Sequence, residues 1–339
     1  MIIALVFGLV GGVPNLFSPY EDVELPEVGV QRLHIGDLVH RTTQATLFHV
    51  KDHEDKLIRY EVNCVENSAY SLSRHYWFLN TLRSLSVAPI PLYLSPSTAL
   101  PLAVSPKTDF LMDQRIREMC FRRRAPVRFM VMSAEGYSLD AWIDGQSSRR
   151  IEFEWALRTL RQLIKILEVI HTRGIVHGDI HAGNVVAKKL SQGIKLIDFE
   201  RAKLKSEIVA TPRREPLSYF HVTHSPFELM GFHSSMRDDV FRAVLLGAHM
   251  IGGDAWFKHY DSITNAQAMY QFKAEEFLFD AGDFNLAQLF PSGVVPVEVR
   301  QNLEAILALV RDAPGVMSVP NYAGIIEHID AILSAAKRT

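Results

Sequence analysis

His177-Gly-Asp-Ile-His-Ala-Gly-Asn184, with Leu196-Ile-Asp-Phe-Glu200 close behind it, is the stretch that decides the fold. It sets Asp179, Asn184 and Asp198 in the order that phosphoryl transfer requires. One carboxylate can orient an attacking hydroxyl, while an amide oxygen and a second carboxylate can hold Mg²⁺ against nucleotide phosphates. Apolar residues flank both pieces, Gly174-Ile-Val176 before the first and Ile194-Lys-Leu-Ile197 leading into the second. The pattern predicts a polar loop followed by a short strand that ends on a metal ligand. The competing reading is a solvated loop between a helix and a hairpin. A D-x4-N spacing alone does not separate the two; its combination with H-G-D, an apolar strand and D-F does.

Composition narrows the class further. A chain of 339 residues can bury the core of one two-part domain or of two ordinary ones. Its 48% hydrophobic and 22% charged residues are those of a globular protein and argue against long disordered tracts. A net charge of −2 supplies no basic field, so no nucleic-acid partner is expected. Two cysteines, Cys64 and Cys120, make neither a disulfide framework nor a zinc site by themselves. The 14 histidines show no ligand spacing outside the loop, so no separate metal centre is expected. Ile2 to Val10 is apolar and ends in Gly11-Gly12, but it lacks a positively charged start and is too short to span a bilayer. Residues 1–29 are therefore an N-terminal extension or an atypical signal segment: the protein is secreted if the run is a signal, and cytoplasmic otherwise. No transmembrane segment is expected elsewhere.

From Val30 to Met132 the chain reads as strand-rich. Arg32 to Val39, Ala45 to Val50 and Lys56 to Val62 are separated by polar breaks such as Lys51-Asp-His-Glu-Asp55. Ser71 to Leu85 predicts one helix, with Tyr76, Leu79, Leu82 and Leu85 on its apolar face. Residues 95–109 read as an insertion, a basic stretch runs from Arg115 to Arg124, and Val127 to Met132 reads as a strand. The triplet Arg122-Arg-Arg124 reads as a solvated turn, or as a contact for a phosphate-rich partner or a membrane surface. After this the pattern becomes helical. Trp155, Leu157, Leu160, Ile164, Leu167 and Ile170 form a stripe, and Val240 to Ile251 is apolar nearly all round, as in a core helix. Ala266 to Phe279, Val297 to Val310 and Tyr322 to Ala336 predict further helices. The expected fold is α+β: a small β-rich N-lobe (30–132), then a connector near Ser133 to Gly136 and a helical C-lobe (133–339).

This arrangement resembles the eukaryotic protein kinase superfamily from about residue 30 to 335. Val131-Met-Ser-Ala-Glu-Gly-Tyr-Ser-Leu139, Ser235-Met-Arg-Asp-Asp239 with Ala255-Trp256, and Pro320-Asn-Tyr322 are similar to runs in the casein kinase I and vaccinia-related kinase group. The resemblance implies ATP and Mg²⁺ (or Mn²⁺) as cofactors and a protein substrate. It makes Asp179 the catalytic base, His181 the counterpart of a phosphate-contacting lysine, and Asn184 and Asp198 the metal ligands. Arg59 would touch phosphate, and Met132 (the gatekeeper), Ser133 and Ala134 would line the nucleotide site. Asp239 would anchor the catalytic loop from below through backbone hydrogen bonds. Ser225-Pro-Phe-Glu228 resembles a degraded APE motif closing an activation segment, with Arg311 or Arg300 as the partner of Glu228.

The departures are as specific as the matches. Gly36-Asp-Leu-Val-His-Arg-Thr-Thr-Gln-Ala45 has one glycine where a phosphate-covering loop has several, a feature that resembles the secreted apicomplexan With-No-Gly-loop kinases. Arg59 stands where the family has lysine, and a planar fork does not substitute simply for an ammonium. His75 stands near the position of the partner glutamate, for which Glu61 or Glu66 is an alternative. Gly178 replaces the arginine that reads activation-loop phosphate, and Glu200 replaces the glycine after Asp-Phe. Three functions stay open at this point: an atypical protein Ser/Thr kinase, a pseudokinase that scaffolds a partner, and a small-molecule kinase of the aminoglycoside or choline phosphotransferase type.

Overall fold

Short segments rich in β-branched and aromatic residues build one antiparallel sheet in the computed structural model. The structure describes residues 34–41, 45–51, 53–62, 72–94, 127–146, 151–208, 235–273, 289–311 and 318–336. By its internal contacts the chain divides after Glu135 into two compact units.

The first unit holds β1 (His34–Arg41), β2 (Ala45–Lys51), β3 (His53–Val62), β4 (Pro91–Leu94) and β5 (Val127–Ser133), in the order β1-β2-β3-β5-β4. Every pairing is antiparallel. The polar break predicted at Lys51–Asp55 is instead mostly strand, with Val50 opposite His53. A hairpin reverses in very few residues, and the ladder runs through backbone groups that polar side chains do not interrupt. One helix, α1 (Leu72–Thr81), is followed by a 3₁₀ turn at Arg83–Leu85 that stops at Ser86, where φ is 56°. The predicted single helix thus breaks near its end. Its buried face is Leu72, His75, Phe78, Leu79 and Leu82, which turns Tyr76 onto the flank.

The second unit is mainly helical. Ser138 Oγ accepts from Ala141 N at 3.3 Å and caps α2 (Leu139–Asp144). α3 (Phe153–Thr172) buries Leu157, Leu160, Ile164, Leu167 and Ile170, as its spacing predicts. Trp155 is 38% exposed, because it sits out of the i, i+3/i+4 register that those five share. α4 (Met236–Lys273) is two helices joined across Gly253, whose φ and ψ are 58° and −146°. Its first half buries Val240, Phe241, Val244, Leu245 and Met250, so this segment is enclosed on all sides. The helix expected to begin at Ala266 is already under way before that residue. α5 (Val297–Arg311) and α6 (Tyr322–Ala336) complete the unit, with α3 packed on α4 and α6. Among the described residues no helix is long and apolar enough to cross a membrane.

Between these helices lie two small sheets. β6 (Tyr137–Ser138), β8 (Val185–Ala187) and β9 (Lys195–Leu196) form one; β7 (Ile175–Val176) and β10 (Lys203–Leu204) form the other. Gly136 enters β6 at φ 98°, and a Cβ there would lie 2.3 Å from the Ala187 carbonyl oxygen, so the close approach requires glycine. Residues 1–33, the insertion at 95–109, Arg115 to Arg124, Cys64, Glu66, Cys120 and Ser225 to Glu228 lie outside the described residues. Arg300 pairs with Glu304 at 3.4 Å within α5.

Candidate active site

The loop after β7 is held from beneath by one carboxylate. Asp239, in the first turn of α4, is fully buried. Its Oδ2 accepts from the backbone N–H of His177 at 2.7 Å and its Oδ1 from that of Gly178 at 2.9 Å. His171 Nε2, at the end of α3, lies 2.9 Å from Oδ2. Burial by itself would raise the carboxyl pKa, but the hydrogen bond and charge of His171, with the Gly178 N–H, hold it below the ordinary value. Tyr322, the first residue of α6, meets His171 Nδ1 through its hydroxyl. Burial, then the charges of Asp239 and Glu168, push that phenol well above its ordinary pKa, so it keeps its proton. Tyr322, His171 and Asp239 therefore form a buried chain that ends on two peptide N–H groups of the loop.

The loop itself is pinned by its own polar residues. Gly178 has φ 75°, a conformation that glycine adopts without steric cost. His177 is completely buried; its Nε2 donates to the Ile197 carbonyl at 2.9 Å and its Nδ1 accepts from the Asp179 N–H at 3.2 Å. Those two partners assign the neutral Nε2–H tautomer. Its ring also meets Phe199 edge-on, with centroids 4.7 Å apart. Asn184 Nδ2 donates to the Asp179 carbonyl at 2.9 Å, which fixes the amide and leaves Oδ1 as its acceptor.

Asn184 and Asp198 flank a short antiparallel pair of strands and are brought together across its ladder. Val185 pairs with Leu196, and the Ile197 N–H donates to the Asn184 carbonyl at 2.9 Å. Asp198 itself has φ 62°, one of two described non-glycine residues at positive φ. Such strain persists where the surroundings enforce it, and it concentrates at functional sites. The donor set of an amide oxygen and a carboxylate is hard and oxygen-only, which fits Mg²⁺ or Mn²⁺.

Three basic side chains surround the Asp179 carboxylate. Arg242 Nη1 from α4 lies 3.3 Å from Oδ1, Arg201 Nη1 lies 3.7 Å from the same oxygen, and His181 Nε2 lies 3.9 Å from Oδ2. His181 Nδ1 accepts from the Gly183 N–H at 3.1 Å. Burial lowers the His181 pKa against the opposing pull of Asp179 and Asp140, so the ring is neutral at pH 7 with Nε2–H toward Asp179. Asp140 of α2 is itself pushed above the usual carboxylate range, mainly by burial.

Asp179, His181, Asn184 and Asp198 are thus gathered on one loop and one strand end. Arg59 lies in β3 opposite Met130, and Met132 lies in β5 opposite Leu57, both in the first unit. Ser133 Oγ accepts from the Ile90 N–H at 2.8 Å and donates to Glu135; Met132 and Ala134 are buried. His75 is buried in α1. Sequence reasoning missed Arg242, Arg201 and Asp140. The available signal for Arg242 was an arginine inside an otherwise apolar helix, where no solvated face exists to receive it. A groove of about 460 Å³ between α3 and α6 is lined by Arg158, Arg161, Lys165 and Asp330 and by none of the loop residues.

A polar loop tied to the helix beneath it, a short strand followed by a left-handed aspartate and a separate antiparallel sheet make up a protein kinase-type α+β fold. The structure is similar to that of vaccinia related kinase 3, with a TM-score of 0.61 over 96% of this chain and 93% of that one. The sequences are 13% identical, so the likeness is one of fold. No protein-family model matches the sequence.

Proposed function

We propose that this chain is a protein kinase-like phosphotransferase that moves the γ-phosphate of ATP to a Ser or Thr hydroxyl of a protein. The observation that carries this reading is the joint fixing of Asp179, Asn184 and Asp198: one amide ties Asn184 to Asp179, and one peptide ties Asn184 to the residue before Asp198. In this reading Asp179 Oδ2 accepts the hydroxyl proton as the oxygen bonds to the γ-phosphorus and the bond to the ADP oxygen breaks. His181 Nε2–H stands beside that carboxylate and can donate to a phosphoryl oxygen. Asn184 Oδ1 and Asp198 would hold the Mg²⁺ or Mn²⁺, which when bound neutralises phosphate charge. Arg59 would supply positive charge to the phosphates from β3.

A pseudokinase is the second reading, favoured by Arg59 in place of lysine, the glycine-poor β1–β2 segment and a buried His75 on α1 where a glutamate is expected. The deciding experiment is phosphate transfer from labelled ATP, with Mg²⁺ or Mn²⁺, to the protein itself, to a generic basic protein and to small-molecule alcohols. Transfer to protein that Asp179→Asn and Asp198→Asn both abolish supports the kinase. Transfer confined to small alcohols moves the assignment to a small-molecule kinase. No transfer from folded protein moves it to the pseudokinase.

A further inference from the structure

Arg242 is buried in the apolar half of α4, its side chain 1% exposed, with Phe241, Ala243, Leu245 and Leu246 buried around it. A guanidinium in such a place is costly unless it is paired. Its Nη1 reaches Oδ1 of Asp179 at 3.3 Å. Asp239 lies three residues earlier and therefore on the same face of the helix. One face of α4 thus grips the loop twice, its backbone through Asp239 and its carboxylate through Arg242. The two oxygens of Asp179 are left in different settings. Oδ1 has Arg242 and, at 3.7 Å, Arg201; Oδ2 faces His181 at 3.9 Å, beyond hydrogen-bonding distance.

We propose that Arg242 is a positioning residue that holds Asp179 by Oδ1 and thereby presents Oδ2 to the substrate hydroxyl. Its catalytic consequence rests on the kinase reading above; the orientation itself does not. Gly178, which precedes Asp179, has no side chain, so the cation beside Asp179 that the structure provides from below comes from the helix.

The test uses the full chain with Arg242→Met, which keeps the stem, and Arg242→Lys, which keeps the charge. Circular dichroism first establishes which variants are folded; if the Met variant is not, the Lys variant carries both arms. In the kinetic arm Arg242→Met lowers kcat about 30- to 100-fold, a part of the roughly 100- to 10,000-fold that a positioned base contributes. KM for ATP stays within about twofold, and Arg242→Lys recovers part of the loss. A Met variant with kcat within about threefold of wild type, while Asp179→Asn is inactive, overturns the proposal and leaves the kinase reading intact. The second arm needs no activity: carboxyl-¹³C-aspartate NMR at pH 7, with the Asp179 resonance assigned by Asp179→Asn. A displaced Asp179 signal in Arg242→Met, partly restored in Arg242→Lys, supports the assigned orientation even if wild type transfers no phosphate. An Asp179 signal unmoved in either folded variant overturns it.

Discussion

The ring of His177 donates to the carbonyl of Ile197 at 2.9 Å, and this bond joins the loop that carries Asp179 to the residue that precedes Asp198. The other side of Ile197 is held as well, since its N–H donates to the Asn184 carbonyl. Both polar groups of one residue are thus taken up by the loop. The left-handed conformation of Asp198 follows directly behind that clamp, so the two candidate metal ligands are placed by hydrogen bonds rather than by chain proximity.

His177→Leu preserves much of the volume and removes the clamp. It leaves the Ile197 carbonyl and the Asp179 N–H without their partner in a buried site, at about 1–3 kcal/mol for each unsatisfied group. The expected loss of stability is roughly 2–6 kcal/mol by urea unfolding, on the same principle. A loss below about 0.5 kcal/mol, the range of an indifferent surface change, would count against the clamp.

Asp239 makes the stability of the second unit sensitive to acid. Its folded pKa lies below the unfolded value, so its contribution is present above the unfolded pKa and is lost as pH falls through the folded one. Protonation would deprive His171 and two loop N–H groups of a charged acceptor at once. Asp239→Asn should cost about 3–5 kcal/mol at pH 7, as for one partner removed from a buried charged pair. It should also flatten the acid limb below about pH 4, where an unperturbed aspartate titrates. Urea midpoints measured from pH 7 down to 3 check both; parallel curves for wild type and variant would refute the assignment.

The sequence displayed what is local and hid what is distant. Asp179, Asn184 and Asp198 were legible because their spacing sits within one loop and strand, where chemistry and backbone share a pattern. The helical stripe of α3 was legible for the same reason, and Trp155 was misplaced only because hydrophobicity was weighed ahead of register. Arg242 left a trace, an arginine in a helix that is apolar nearly all round, but its partner Asp179 lies 63 residues away and no local pattern names it. The contact between His171 and Tyr322 spans 151 residues, and no local pattern encodes it.

That contact carries its own prediction. The phenol of Tyr322 has a folded pKa raised mainly by burial, so between the unfolded value near 10 and the folded one the native state binds more protons than the unfolded. Stability therefore falls as pH rises above about 10, which is where a free tyrosine titrates. Tyr322→Phe should cost about 1–2 kcal/mol at pH 7, the range for a lost hydrogen bond with a buried partner left behind. It should also relieve part of the alkaline decline. Denaturation curves at pH 7, 9 and 10.5 check the sign, and a steeper decline in the Phe variant would contradict it.

Nucleotide binding separates the roles of the three loop residues more cleanly than turnover does. A ligand that binds the folded state alone stabilises it by about 2.7 kcal/mol at a hundredfold excess over its Kd. Near 2–4 °C per kcal/mol for a unit of this size, ATP with Mg²⁺ should raise Tm by roughly 5–10 °C. Asn184→Ala and Asp198→Asn each remove a proposed metal ligand and should abolish the Mg²⁺-dependent part of that rise. Asp179→Asn removes the proposed proton acceptor instead, and should leave most of the rise in place while phosphate transfer is lost. Thermal unfolding with ATP in the presence and absence of Mg²⁺ reads all three. A pseudokinase that still binds nucleotide would show the same thermal pattern without transfer. Equal loss in all three variants would mean that Asp179 supports the loop's structure rather than the proton.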